Sequence, residues 1–485
     1  MREKLAAALV TPVKAMRWAY LPLLMVYFAY GALGLIGIAE AFWIKKALKM
    51  TPAELAALNV WLTLPWTIKM VFGSLVDSVP ILGSQRRAYV FIGAGLIALG
   101  MLLLAAAAAG VVTSVSLEAL FVTASVVTVV GVVLQDVVAD AMSTEVVARV
   151  EADGVTPRPE GDVQRDLAMV QVLGRLALSL GIFSVAGLAG LMAQWFSYTS
   201  VFLIGLAVPL ISVTGALLVR LDTSERQPID WRILGGGLVF GAAVMALALG
   251  KVPYGQEIIF LLSMTVVTVM LTRVTGDLDL EARRRIFYAA IIIFLFRATP
   301  GVGEGYRWFT IDRLGFDEAF YGVLQQTGAA LALLGTWLLS DLITRQRIVR
   351  VLLWLTVLST LFTLPNLALA LGLHTVTEPL LGIGARTIAL IDAAAESPFA
   401  QLSMVPLLTL VAINAPAGRR ATWFALMASL MNLALVAGSL GTKYLNLLFH
   451  VDRGSYDTLP ALITTAMLLG LIIPLTAIVL FGRRT

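Results

Sequence analysis

The sequence contains no cysteine and only two histidines among its 485 residues. The first absence excludes disulfide bonds, iron–sulfur clusters and thiolate metal sites, and two histidines are too few for a histidine metal site. We therefore expect neither a metal nor a cofactor. Charge is scarce as well, because only 13% of the residues are charged, whereas soluble domains carry about 25%. A soluble chain of this length would lack the charge to coat its surface.

Motifs of the common enzyme classes are also missing. The sequence has no GxxxxGK[ST] phosphate loop, no HExxH zinc motif and no GxSxG nucleophile elbow. Those motifs accompany nucleotide hydrolysis, metal-dependent proteolysis and acyl transfer. We therefore predict that the protein is not an enzyme. The net charge of +5 lies in short segments beside apolar runs, which indicates membrane topology rather than nucleic-acid binding.

Apolar residues dominate what is present. They make up 59% of the chain and fall in blocks of about 20 residues, the length of a helix that crosses a bilayer core. We predict 14 transmembrane helices in an arrangement of six, two and six. The predicted blocks are 19–43, 55–76, 88–109, 117–142, 167–193, 198–219, 233–250, 257–272, 286–306, 320–341, 348–371, 379–413, 421–447 and 461–481.

Basic residues favour one orientation of these helices. With the N-terminus inside, the inner segments hold 23 Lys and Arg and the outer segments hold seven. This bias predicts that both termini are cytoplasmic, and together with the lack of a targeting segment it predicts a bacterial inner (plasma) membrane protein. The predicted domains are a cytoplasmic N-terminal segment (1–18), an N-terminal six-helix half (19–220), a central linker with two extra helices (221–285) and a C-terminal six-helix half (286–485).

A loose internal repeat relates the two six-helix halves. Glu40–Trp43 is followed by Gly73–Asp77 in the first half, and Glu304–Trp308 is followed by Gly335–Asp341 in the second. Two parallel halves are the layout of major-facilitator transporters, whose substrate site lies near the midplane between the halves. We therefore predict an all-α membrane protein with the major-facilitator fold, acting as a secondary active transporter by alternating access.

The most specific local motif is a short glycine–acid–arginine segment. Gly73 and Asp77 lie near the end of the second block, and Arg86 and Arg87 follow in the next loop. Glycine permits close approach of helices, and the arginines can pair with the aspartate or with a neighbouring helix end. We predict that these four residues form a conformational latch. The alternative is an ordinary basic loop.

Charged residues inside the apolar blocks are the candidates for binding and coupling. Each one costs at least ~2.5–3.5 kcal/mol at the bilayer centre, so such residues usually face a partner or a watery cavity. Lys69 has an alternative, because a lysine side chain can snorkel to the inner interface. The candidates for substrate binding or coupling are Glu40, Asp136, Asp140, Arg175, Arg297, Glu304, Arg386, Asp392 and Glu396.

Spacing groups some of these candidates. Two carboxylate pairs lie four residues apart, and so on one helix face: Asp136 with Asp140, and Asp392 with Glu396. Carboxylates this close disfavour double ionisation, which suits proton uptake or cation contact. The alternative is structural ion pairing with Arg175 or Arg386. Arg297 precedes the Pro–Gly-rich run Ala298–Gly303, which predicts either a helix break lining a cavity or a packing kink.

Several stretches resemble the folate–biopterin transporter family of the major facilitator superfamily. They are Leu64–Lys69, Asp136–Ala141 and Ala415–Asn432. Ala415-Pro416 departs from the Cys-Pro pair that the resemblance leads us to expect. Gln135–Ala141 and Val172–Leu176 are also similar to muropeptide permease and acetyl-CoA transporter relatives.

The resemblance implies roles for the candidates. The partner would be an anionic or pterin-like small molecule, carried by symport with protons across the lipid bilayer. A muropeptide-type permease and a non-transporting assembly or pigment-delivery protein remain alternatives. The implied roles are pterin recognition by Asp136, Asp140 or Asp392, pairing of a ligand carboxylate with Arg175 or Arg297, and proton coupling through Glu40, Glu304 or Glu396.

Overall fold

The computed structural model describes residues 16–81, 83–84, 86–151, 155–218, 229–250, 252–344, 347–414 and 420–484. Within these ranges the regular structure is helical, apart from three isolated β-bridges. The part of the predicted family motif at 415–419 lies outside the described residues. We number the α-helices in chain order.

In the first part of the chain the helices are α1 (Leu21–Ala32), α2 (Gly37–Ala47), α3 (Pro52–Thr67), α4 (Lys69–Ser78), α5 (Arg87–Ala109), α6 (Leu117–Glu145), α7 (Glu160–Trp195), α8 (Tyr198–Gly205), α9 (Ala207–Leu218), α10 (Trp231–Leu249) and α11 (Gly255–Val274). The remaining helices are α12 (Leu280–Arg297), α13 (Glu304–Asp312), α14 (Glu318–Thr344), α15 (Ile348–Phe362), α16 (Leu364–Ala370), α17 (His374–Leu381), α18 (Ala385–Leu402), α19 (Met404–Ile413), α20 (Arg420–Phe449) and α21 (Leu459–Phe481).

Short polar signals set where helices begin. At α3, the Thr51 hydroxyl accepts the N–H of Glu54 (3.2 Å) and the Glu54 carboxylate accepts the N–H of Thr51 (2.8 Å). This reciprocal pair is a capping box, and it satisfies two N–H groups that have no partner within the helix. Asp279 caps α12 in the simpler way, by accepting the N–H of Ala282 at 2.7 Å.

The described part contains 11 helical stretches long and apolar enough to cross a membrane. The protein is therefore an all-α integral membrane protein, as the composition predicts, while the count of fourteen spans stays a prediction. Several spans are interrupted rather than straight. The second span breaks at Ile68, between α3 and α4, where Pro65 lacks the N–H that the last turn would need.

The chain forms two compact units. The first contains 1–47 and 69–238, and the second contains 48–68 and 239–485. The limits of these units fall inside the second span and inside α10 rather than at 220 and 285. The division into domains at 18, 220 and 285 therefore stays a prediction from the sequence.

In the first unit, α5 packs along α6, and α1 packs along α7 and α9. Small residues allow the closest crossing: a Cβ on Gly31 would lie 2.2 Å from the carbonyl oxygen of Leu178, and one on Gly181 would lie 2.2 Å from that of Phe28. Such close backbone approach is typical of helices packed in lipid, where apolar burial between helices provides no driving force. Trp43 fills the end of this core.

In the second unit, α3 packs along α20, α14 along α18, and α12 against both α20 and α21. Trp423 lies fully buried in this core, where its indole N–H donates to the carbonyl of Val411 at 2.7 Å. The central helix α11 joins the same unit through charge. Lys443 of α20 lies 2.7 Å from the carboxylate of Glu257 on α11, which also accepts the hydroxyl of Tyr444 at 2.6 Å.

The cysteine-free chain allows a direct test of the predicted orientation. Val111 follows α5 on the predicted outer side and is 71% exposed, and Val155 precedes α7 on the predicted inner side and is 80% exposed. In intact cells, a membrane-impermeant maleimide should label Val111→Cys, and should label Val155→Cys only after the cells are permeabilised. The reverse pattern would invert the topology, and labelling of both in sealed cells would refute it.

Candidate functional site

A lysine and two aspartates meet within the first unit. The Nζ atom of Lys69 lies 2.5 Å from Oδ2 of Asp136 and 2.5 Å from Oδ2 of Asp140. The hydroxyl of Tyr27 donates to Oδ1 of Asp140 at 2.6 Å. We call these four residues the lysine cluster. Asp136 is the more buried carboxylate, with a side chain 12% exposed against 48% for Asp140.

Three local features of the sequence build the lysine cluster. The four-residue spacing places Asp136 and Asp140 on one face of α6. The break at Ile68 makes Lys69 the first residue of α4. Gly174 of α7 leaves room for the tyrosine, because a Cβ there would lie 2.8 Å from the ring of Tyr27.

Polar groups next to the lysine cluster are also satisfied within the protein. Gln135 is buried and donates its amide N–H groups to the carbonyl of Val90 (3.0 Å) and to the hydroxyl of Ser212 (2.9 Å). A cavity of ≈ 10 Å³ borders Tyr30, Gln135 and Asp136, which is about the room needed by one water molecule. Tyr27 and Gln135 are not among the site residues predicted from the sequence, although a glutamine inside an apolar block was a usable signal.

The structure answers the alternative of ion pairing with Arg175. Arg175 is exposed on α7, and its charge acts on Asp136 and Tyr27 from outside the lysine cluster. The direct counter-charge of both aspartates is Lys69, so snorkelling of Lys69 is the wrong interpretation. Glu40 lies half-buried in the first turn of α2.

Arg86 is the centre of the predicted latch. Its guanidinium is almost fully buried and pairs with Asp77 at the end of α4 (2.8 Å) and with Glu145 at the end of α6, where Nε lies 3.0 Å from Oε2. Burial lowers the pKa of Arg86, but the hydrogen bonds and charge of Glu145 and Asp77 outweigh it and hold the pKa above its usual value. Arg86 therefore ties the ends of α4 and α6 to the loop that precedes α5.

The other two latch residues behave differently. Arg87 lies with its guanidinium carbon 5.6 Å from the ring centre of Phe91, so the structure places Arg86 rather than Arg87 on the carboxylates. A Cβ on Gly73 would come no closer than 4.0 Å to Val137. Close helix approach therefore does not require a glycine at this position.

The Pro–Gly-rich run of the second unit does interrupt its helix. Residues 298–303 are not helical, and Gly303, with φ 78°, forms the N-cap of α13. Side chains of α20 bind two of the backbone groups that this break leaves without a helical partner. Thr442 accepts the N–H of Gly301 (2.9 Å), and Asn446 donates to the carbonyl of Val302 (3.0 Å). Non-helical backbone at membrane depth needs such partners.

A polar cavity of ≈ 180 Å³ lies at this break, within the second unit. Its polar lining comes from Asn59, Glu304, Ser439 and Thr442. The Glu304 carboxylate already has a cation, because it lies 3.2 Å from the guanidinium of Arg307 one turn along α13. The break therefore opens a small hydrophilic space beside a paired carboxylate.

Arg297 ends α12 just before the break. Its Nη1 group points at the sulfur of Met404, and its Nε–H is buried with no hydrogen-bond partner in the described part of the chain. Since methionine sulfur is a weak acceptor, this guanidinium has no strong partner there. An anionic group would satisfy it.

Arg386 is a structural rather than a free cation. It lies 3.0 Å from the carboxylate of Asp317 and donates to the carbonyl of Gly315 at 3.0 Å, which joins α18 to the turn before α14. Burial raises the pKa of Asp317, but the N–H of Phe320 and the guanidinium of Arg386 outweigh it and hold the pKa below its usual value. Arg386 therefore pairs with Asp317, and not with Asp392 or Glu396 as the alternative of structural ion pairing predicted.

Asp392 and Glu396 lie together on α18. Asp392 is 7% exposed, and the side chain of Asn366 on α16 lies beside it. Asn366 in turn accepts the hydroxyl of Tyr306 at 2.6 Å. Sequence reasoning missed both Tyr306 and Asn366, which carried no charge to mark them.

Removing the counter-charge of the lysine cluster should destabilise the protein. Lys69→Met leaves a buried carboxylate unpaired, a change that typically costs about 3–5 kcal/mol. Adding Asp136→Asn should recover most of that loss, and a double-mutant cycle on the free energy of unfolding in detergent measures the coupling. Lys46→Met, at an exposed lysine, is the control and should change little. Additive effects of the two substitutions would refute the pairing.

The neighbouring arginines give a matched test of the latch. Arg86→Lys keeps the charge but loses the forked contact with two carboxylates, so we expect a loss of about 1.5–3 kcal/mol. Arg87→Lys should stay within about 0.5 kcal/mol of the parent. The thermal unfolding midpoint of each purified variant measures both effects. Equal midpoints for the two variants would contradict the central role of Arg86.

Comparison with known proteins agrees with this architecture. The folate-biopterin transporter of Synechocystis is 28% identical over 452 residues, which cover 92% of this chain and 78% of that one. Probable folate-biopterin transporter 2 of Arabidopsis thaliana is 36% identical over 87 residues, or 16% of this chain and 17% of that one.

Solved structures show the same fold. A POT family transporter in complex with a thioalcohol conjugated peptide has a TM-score of 0.67 at 12% identity and covers 96% of each chain. The inward-open xylose transporter of E. coli has a TM-score of 0.55 at 13% identity, over 95% of this chain and 94% of that one. The model of the BT1 family matches residues 31–484. This chain therefore belongs to the BT1 family, which includes folate–biopterin transporters, and is a membrane transporter with the major-facilitator fold rather than an enzyme.

Proposed function

We propose that this transporter carries pterin-type solutes, among them folate with its anionic glutamyl tail, by alternating access and in symport with protons. Arg297 is the observation that carries the proposal. The buried guanidinium of Arg297 has an Nε–H without a partner within the described residues. A buried donor without a partner is destabilising, so binding of an anion there lowers the free energy. Its planar fork matches a carboxylate, which can accept two of its N–H groups at once.

The setting of Arg297 supports a ligand group rather than a structural partner. The nearest polar features are the helix break at 298–303 and the hydrophilic cavity beside it. Interrupted helices of this kind form substrate sites in secondary transporters. The carboxylates of Glu304 and Asp317 already pair with Arg307 and Arg386, so neither carboxylate serves as the partner of Arg297.

The lysine cluster of the first unit suits a pterin ring. The amino–amide edge of a pterin presents neighbouring N–H donors, and a carboxylate accepts two such donors side by side. Asp140 is the carboxylate of the cluster that remains half-exposed. Its two oxygens already accept hydrogen bonds from Lys69 and Tyr27. This assignment narrows the predicted pterin-binding residues to Asp136 and Asp140.

Folate and biopterin separate the role of Arg297 from the role of the pterin ring, because folate carries carboxylates and biopterin carries none. We expect Arg297→Gln to raise the KM for labelled folate in proteoliposomes about 10- to 100-fold, the loss of one charged hydrogen-bonding partner. Uptake of biopterin by the same variant should stay near that of the parent protein.

Arg284→Gln is the matched control, since it removes the same charge from an exposed position at the other end of α12. It should change neither KM. An equal loss for both substrates in Arg297→Gln would show that Arg297 does not read a carboxylate. If the folded parent protein moves neither solute, the substrate class is wrong, and muropeptides and other anionic solutes are the next to test.

A further inference from the structure

The two carboxylate pairs of the protein differ in their counter-charge. Asp136 and Asp140 share Lys69, which contacts one oxygen of each. Asp392 and Glu396 have the same four-residue spacing on α18, yet neither forms an ion pair with a described residue. The negative charge of the first pair is therefore offset within the protein, and that of the second pair is not.

The surroundings of Asp392 fix which oxygen is free. The side chain of Asn366 lies beside Asp392, and the amide oxygen of Asn366 accepts the hydroxyl of Tyr306. Oδ1 of Asp392 is buried and has no hydrogen-bond partner among the residues described. A carboxylate held in this way leaves one lone-pair site unsatisfied, and a proton placed on Oδ1 removes its charge.

In the described part of the chain, no ion pair joins Asp392 to a cation, and the carboxylate of Glu396 one turn along α18 disfavours a negative charge on Asp392. Helices α16 and α19 carry no titratable residue. The titratable residues on the other packed helices are Glu318 and Tyr321 on α14, Arg350 on α15, and His374 and Glu378 on α17, while the side chain of Asp341 on α14 lies outside the described part.

Burial then decides the charge state. An isolated carboxylate in an apolar setting costs so much free energy that it takes up a proton instead. A second carboxylate one turn away adds repulsion and favours the same outcome. Glu304 lacks this pressure because Arg307 already offsets its charge. The two acids on α18, Asp392 and Glu396, are therefore under pressure to carry a proton.

We propose that Asp392, with Glu396 beside it, is the proton-binding site of this transporter, and that Asp392 carries the proton on Oδ1 in the conformation described. The site exists whatever the solute is, while its use in coupling rests on the proposed function. The proposal gives Asp392 a coupling role in place of pterin recognition. Asn366 acts as a positioning residue because its side chain lies beside Asp392, and Tyr306 holds Asn366 by donating to its amide oxygen.

Infrared spectroscopy of the reconstituted protein tests the proton directly, without a substrate. The parent protein should show the C=O absorption of a protonated carboxyl group at neutral pH, and Asp392→Asn, which has nearly the same shape, should lose it. Asp317→Asn, at an exposed carboxylate of the same unit, is the control and should keep it. No such band in the parent, or a band that Asp392→Asn leaves in place, would overturn the proposal.

Transport supplies the second measurement. Counterflow exchanges labelled for unlabelled solute without net proton movement, whereas uptake driven by an inward proton gradient requires proton release. Asp392→Asn should keep counterflow of folate near the parent rate and lose the stimulation of uptake by the gradient. Retained stimulation would refute the coupling role. A parent protein with the infrared band but no folate counterflow would keep the proton site and reject folate as the substrate.

Discussion

A charge within an apolar helix has to be offset inside the protein, because the hydrocarbon around it provides no solvent. This constraint organises both compact units. In the first it brings α4 and α6 together through Lys69 and two aspartates. In the second it attaches α11 to α20 through Lys443. Where no opposite charge is near, as at Asp392, the same constraint favours a protonated carboxyl group instead of an ion pair.

The backbone obeys a parallel constraint, since freed N–H and C=O groups also need partners in the protein. The break at 298–303 is stable because side chains of α20 bind its exposed groups. Thr442 and Asn446, one turn apart on α20, take one N–H and one C=O of the break. The residues that follow the end of α12 are thus held by polar side chains of α20, and the polar cavity lies next to these contacts.

Sequence alone predicted the helical membrane architecture, because block length and basic-residue bias are local signals that need no partner. It also predicted the Pro–Gly break, where the chemistry of two residue types is decisive. Which residue each charged side chain pairs with was harder to predict. Lys69 pairs with residues 67 and 71 positions away, Arg386 pairs with Asp317 instead of the acids on its own helix, and Asn366 carries no charge. Such choices depend on packing, which one sequence does not display. Helix α7 begins at Glu160, seven residues before the predicted block 167–193, because its first turns are polar.

The ion pair between Lys443 and Glu257 joins α11 of the central helix pair to α20. The ammonium group of Lys443 also donates to the side-chain oxygen of Gln256 at 2.8 Å, so two neighbouring residues of α11 hold one lysine of α20. A charge without partners inside an apolar helix is costly. The lysine and α11 therefore depend on one another: a chain without α11 would need an uncharged residue at position 443.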